Sequence, residues 1–212
     1  VGSVADPYPE ISWAGSSPAA LDIAARYADT FSLSSERIDG TLEVTAQVND
    51  LAARYGRSLR FWHNGNQILA ATDAEARATA ERIADILEGP DSPLVLDVTK
   101  PESVSRKRLM AQAADGDWAE HALYMRIARI TGGESVPAFV GTPETVAEGM
   151  LAYYEQGIEI FGMDPTCFTE EEVELKRELL RLLHEGAREI DARRAAEASV
   201  DAGALVAESV AP

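Results

Sequence analysis

Cysteine is almost missing from this chain. Cys167 is the only one, so no intramolecular disulfide can form, and this usage fits a reducing cytoplasm. Basic residues are also scarce: 19 Lys and Arg stand against 36 Asp and Glu, a formal net charge of -17. Such a surface repels phosphate backbones and anionic lipid heads, which disfavours nucleic acid and membranes as partners. No run approaches the roughly 20 apolar residues that a membrane-spanning helix needs. The opening "VGSVADPYPE" has neither the basic nor the apolar segment of a signal peptide, and it lacks Met; a processed or truncated product is one reading of it. Only three histidines occur, and no His/Cys/Asp/Glu cluster has metal-ligand spacing, so no metal is expected.

What is present is an alternation of strand and helix signals over 212 residues. "EISWA" reads as a strand, followed by Gly15, Ser16, Ser17 and Pro18. Ser17 suits an N-cap and Pro18 a first helical position. The helix then runs to about Tyr27, with Leu21, Ala24, Ala25 and Ala28 at helical spacing. "DTFSL" is the next strand. A helix from about Ile38 to Tyr55 stops at Gly56, and "SLRFWHNGNQILAA" is read as a single third strand. Thr72 and Glu75 form a capping box for a helix reaching about Leu87.

Gly89, Pro90 and Pro93 then break the pattern, residues 102–130 are patchily helical, and "TGGESVPAF" reads as a flexible loop. Thr142 and Pro143 open a helix ending at Gly157, "IEIFGM" is a fourth strand, and Thr169 with Glu172 caps a charged helix to about Arg194. The Ala-rich residues 195–212 are expected as a disordered tail. Alternating strands and helices indicate an α/β fold with a parallel sheet. Four strands are too few for a closed eight-stranded barrel, which typically takes about 250 residues. A small open sheet and half of a barrel both remain.

Several quoted stretches resemble the luciferase-like flavin monooxygenases, in particular the alkanesulfonate monooxygenase branch. They are "PYPEISWAGSSPAALDIAARYADTFSL", "LAARYGRSLRFWHNGNQILAATDAEARATAERI" and "GGESVPAFVGTPETVAEGMLAYYEQGIEIFGM", in that order along residues 7–164. The resemblance implies the C-terminal half, strands five to eight, of a (β/α)₈ TIM-type barrel over residues 1–168. A mobile insertion or lid at 89–140 would precede the last helix-strand unit. It also implies a bacterial, cytoplasmic flavoprotein using reduced FMN from a separate flavin reductase, together with O₂ and a small organic substrate; relatives use a deazaflavin. A half-barrel exposes sheet edges and an apolar face, so an N-terminal-half chain or another copy is expected as partner.

The resemblance and the residues together give the candidate sites. Gly15, Ser16 and Ser17 follow a strand and open a helix, a place attractive to a phosphate; ordinary N-capping explains the same residues equally well. The resemblance assigns them to the flavin phosphate, with Trp13 beside them. Asn64 and Asn66 alternate and so share one face. The family branch carries an Arg and a His there; Asn keeps hydrogen bonding but supplies neither charge nor proton transfer. These two are weak catalytic candidates.

His63 points the other way and is expected to face outward, at the surface or against a helix. Met163, Asp164 and Arg129 are assigned to the substrate pocket. The branch has an Arg-Gly-Gly where this chain has Thr131-Gly132-Gly133, and a Tyr where it has "MDPTCF". These losses argue against an alkanesulfonate substrate. They also leave open a degenerate flavin-binding or accessory subunit, or a deazaflavin-dependent oxidoreductase.

Overall fold

The computed structural model describes residues 8–90, 92 and 103–209. In chain order its elements are β1 (Ser12–Ala14), α1 (Pro18–Tyr27), β2 (Thr30–Ser34), α2 (Ile38–Ala53), β3 (Arg60–Asn64), β4 (Asn66–Leu69) and α3 (Asp73–Glu88). There follow α4 (Val104–Ala113), β5 (Leu123–Tyr124), α5 (Arg126–Ile130), β6 (Ala138–Gly141), α6 (Pro143–Tyr154), β7 (Ile158–Gly162) and α7 (Glu170–Ser209). The main sheet has the order β1-β2-β3-β7 with every pair parallel. A second sheet has the order β4-β6-β5, with β4 parallel and β5 antiparallel to β6.

The main sheet has two unlike faces because strand side chains alternate. Phe31, Phe61 and Ile158 lie side by side in register, as do Leu33 and His63, and all five are buried. Leu21, Ala24 and Ala25 of α1 and Val44, Val48 and Ala52 of α2 close over them in one cluster. The small alanines let the helices approach closely. On the other face Ser32, Trp62 and Ile160 align, then Ser34, Asn64 and Gly162, and none of these six is buried. Parallel sheets are normally covered on both faces, so this face, half-buried apart from the exposed Asn64 and open where α4 does not reach it, is the unusual feature of the fold.

The helix starts follow the local chemistry. Ser17, Thr72, Ser103 and Thr142 each accept a hydrogen bond from the backbone N–H three residues on, and Pro18 and Pro143 occupy first-turn positions. The Thr169 box is reciprocal: its hydroxyl accepts from the Glu172 N–H, and the Glu172 carboxylate accepts from the Thr169 N–H. Thr72→Ala is expected to cost about 1 kcal/mol of stability, read as a shift in the urea midpoint with the slope unchanged.

Five expectations are corrected in whole or in part. The single strand over "SLRFWHNGNQILAA" is two, β3 and β4, divided at Gly65. The break exists because the chain changes partner there, from β7 to β6. Gly65 also sits against Ser35, whose hydroxyl donates to the Asn64 carbonyl. The loop over "TGGESVPAF" contains the start of β6, whose four residues are all buried. The tail from Ala195 is helical through Ser209 as a continuation of α7, as its alanine content favours.

His63, placed outward, is 1% exposed and packed among the rings of Phe139, Tyr153 and Phe161; the helix contact is present through Tyr153 of α6, the surface position is not. The expected lid at 89–140 lies partly outside the described residues. From α4 onward it is an integral layer, with Leu109, Ala113, Leu123 and Phe139 in the main core.

Candidate functional site

The C-terminal ends of β1, β2 and β3 converge on a cavity of about 180 Å³. Its lining includes Gly15 and Ser16 after β1, Ser34 at the end of β2 and Asn64 at the end of β3. Ligands of open α/β sheets sit outside the carboxyl ends of the strands, so its place in the fold is that of a site. Gly15 has φ +119°, a region that residues with a Cβ avoid, and this turns the chain sharply from strand into α1. Ser17 is committed to capping, accepting from the Ala20 N–H at 3.2 Å. Ser16, unlike Ser17, lines the cavity.

The remaining wall comes from α4 and from Val136, ahead of β6. Ser105 and Arg108 line the cavity. Arg108 donates from Nε to Glu36 at 2.6 Å, from Nη2 to the other Glu36 oxygen, and from Nη2 to Ser16 Oγ at 3.4 Å. The Glu36 side chain is 2% exposed and that of Arg108 22%. Burial disfavours the guanidinium charge, but the hydrogen bonds and field of Glu36 outweigh it, and the Arg108 pKa is raised. Gln112, one turn further on, donates to Glu36 and accepts from the Arg37 N–H, fixing α4 to the start of α2.

The other candidates separate. Asn64 and Asn66 are both exposed with Gly65 buried between them, but they line different cavities. Asn66 and Asp164 share a cavity of about 560 Å³ between β4, α3 and the start of α7, with Ile68, Ile83 and Lys176. Asp164 accepts from the Thr166 N–H at 2.8 Å, which holds its carboxyl below the usual range. Met163 packs against the main core. Trp13 lies in register with Phe31, on the helix-covered side, and is not among the residues lining the 180 Å³ cavity. Arg129 pairs with Asp117, and Arg126 is held by Glu81, Asp85 and Glu88 of α3.

Around Asn64 the open face is closely fitted. A Cβ on Gly162 would come within 2.9 Å of Trp62 Nε1 and 3.0 Å of Asn64 Oδ1, so both side chains rest over the glycine. Neither cavity presents a histidine. Among the described residues no group of three or more His, Cys, Asp or Glu could hold a metal ion.

The profile of the luciferase-like monooxygenase family matches residues 2–159. A sulfoquinovose monooxygenase of Novosphingobium aromaticivorans is 32% identical over 165 residues, 76% of this chain and 45% of that protein. Among solved structures, a long-chain alkane monooxygenase superposes with a TM-score of 0.57 at 16% identity, over 84% of this chain and 41% of the other. An EDTA monooxygenase from Chelativorans sp. BNC1 gives 0.57 at 16% identity, over 85% and 47%. A riboflavin lyase, solved with a modified FMN and riboflavin, gives 0.55 at 19% identity, over 84% and 43%. The chain thus spans about half the length of the relatives it matches.

Proposed function

The chain belongs to the luciferase-like monooxygenase family, and from that premise we propose that it is the C-terminal portion of a reduced-FMN-dependent monooxygenase acting on a small organic substrate other than an alkanesulfonate. The observation that carries the cofactor assignment is the cavity at Gly15 and Ser16. At about 180 Å³ it is too small for a whole flavin, since pockets for ligands of that size run to about 300–1,000 Å³. It has room for one phosphoryl group, held by the Ser16 hydroxyl and a neighbouring cation, with the rest of the molecule lying along the open sheet face. Bound reduced FMN would supply the electrons for O₂ chemistry. This chain's residues would anchor the phosphoryl end at Gly15 and Ser16 and orient the ring from Trp62 and Asn64. Asn64 would offer hydrogen bonds without moving a proton.

The open face also supports a partner. It would be covered by the N-terminal strands of such a barrel, carried on the same polypeptide or on another, or by a second copy of this chain. Sulfoquinovose belongs on the substrate panel because the 32% identical relative is named for it. A second reading, a flavin-binding subunit without turnover, is favoured by one observation: the only histidine near the site, His63, is sealed in the core.

The test is to supply FMN, a flavin reductase and NADH, and to follow O₂ uptake and product over a panel including sulfoquinovose, a long-chain alkane and a short alkanesulfonate. Sulfoquinovose and the alkanesulfonate are both anionic sulfonates. Product from a neutral member with none from either supports the proposal, and product from either one overturns its substrate clause. Tight FMN binding with no product anywhere moves the assignment to the accessory subunit.

A further inference from the structure

We propose that Arg108 is the ligand for the phosphoryl group in the Gly15 cavity, making the site select FMN over riboflavin, and that Glu36 is the residue that positions it. The inference rests on the flavin reading above and extends it to two residues 72 positions apart.

Three observations carry it. First, among the eleven described residues lining the cavity, Arg108 is the only one with a charged side chain. Four serine or asparagine side chains besides Ser16 share the lining: Ser32, Ser34, Asn64 and Ser105. In a chain of net charge -17, a cavity with one cation and several hydroxyl and amide donors is built for an anion.

Second, the guanidinium is presented rather than consumed. Glu36 takes Nε and Nη2, while no hydrogen bond from Nη1 is formed among the described residues. Arg has five donors in a rigid fork, so an arginine held by one edge on a carboxylate still offers donors from the other.

Third, the support is rigid. Glu36 is buried, the oxygen that takes Arg108 Nε also accepts from Gln112, and Gly40 lies so close to that amide that a Cβ would overlap it. Burying a carboxylate requires a compensating partner, so the Glu36 pair fixes the Arg108 side chain where a free arginine on α4 would wander.

The test compares FMN with riboflavin, which differ by the phosphoryl group alone, by flavin fluorescence on the full chain. The wild type is expected to bind FMN at least tenfold more tightly. Arg108→Gln should weaken FMN about 10- to 100-fold, the loss expected for charge-assisted hydrogen bonds, with riboflavin unchanged. Arg108→Lys keeps the charge, loses the fork, and should recover part of the ratio. Glu36→Gln should lower the ratio several-fold with Arg108 still present. Ser105→Asp puts a negative charge at the cavity without touching the Glu36 pair, and should lower the ratio even if Arg108→Gln fails to fold.

Equal weakening of both flavins by Arg108→Gln and by Ser105→Asp would overturn the proposal, as would an unchanged ratio. If neither flavin binds, inorganic phosphate is titrated by NMR. Binding that Arg108→Gln abolishes keeps Arg108 as a phosphoryl ligand while the flavin reading falls. No phosphate binding overturns both.

Discussion

Lowering the pH from 7 to 4.5 is expected to remove about 2.7 kcal/mol of folding stability through His63 alone, at about 1.36 kcal/mol for each of the two pH units below 6.5. Burial lowers the His63 pKa from 6.5 to about 3. The ring lies between Phe139, Tyr153 and Phe161, and neither of its nitrogens has a hydrogen-bond partner. Nothing there compensates a positive charge.

A histidine with a depressed folded pKa is neutral in the native state and binds its proton on unfolding. Its contribution is therefore complete above pH 6.5 and is lost progressively as the pH falls toward 3, to a total of about 5 kcal/mol. Carboxylates titrate over part of the same window, so the contribution is read as a difference between two proteins. Urea unfolding of the wild type and of His63→Leu between pH 7.5 and 4.5 should show stabilities that converge or cross on acidification, the wild type falling more steeply. Parallel pH profiles would show that the ring charges without cost and that its burial is not maintained.

The second large effect is steric. Gly149→Ala is expected to destabilise the fold by about 3 kcal/mol, although it puts a better helix former in the middle of α6. A Cβ at Gly149 would overlap the backbone carbonyl oxygen of His121 and stand 3.4 Å from Phe139 Cδ1. The obstacle is backbone, and it is stiff. His121 and Ala122 both have φ near +58°, and the Val140 N–H donates to the Ala122 carbonyl, so the strand β6 holds that loop against α6.

Gly186→Ala is the control, because the three atoms nearest a Cβ there all belong to the end of the Leu151 side chain, which can rotate away. Thermal unfolding should show Gly149→Ala melting at least 6 °C below wild type, at about 2–4 °C per kcal/mol for a chain of this size, and Gly186→Ala within about 2 °C of it. Equal effects would mean that the His121 loop yields as readily as a side chain.

What could be read from the sequence was what is local. The Thr169–Glu172 box, Ser17 before Pro18 and the parallel α/β alternation depend on neighbours within a few residues, and the structure has them; Thr72 caps α3 as expected, but the Glu75 carboxylate accepts from its hydroxyl rather than its N–H. What escaped depends on partners far along the chain. The third strand divides at Gly65 because β7 and β6, which pair with its two halves, lie some 70 to 100 residues later. Alternation placed His63 opposite Asn64, which is right, but that side of the sheet is the covered one, and only the helices of the core decide that.

Arg108 was invisible for a related reason. It stands in "SRKRL", a run that reads as a solvated charged face, while its partner Glu36 looks like one more surface acid before α2. Gly15 and Ser16 stood out in the sequence and do line a cavity; Arg108 beside them did not. Met163 and Arg129, carried over by resemblance, end half-buried against the core and in an ion pair with Asp117.

The central claim is that the turn after β1 receives the phosphoryl end of a flavin. It is tested most directly by a crystal structure of the protein with FMN. The expected result is phosphate density in the cavity between Ser16 and the Arg108 guanidinium, with the ring extending over Trp62 and Asn64 on the open sheet face. Density for FMN elsewhere on the molecule, or with its phosphate away from Ser16, would contradict the account.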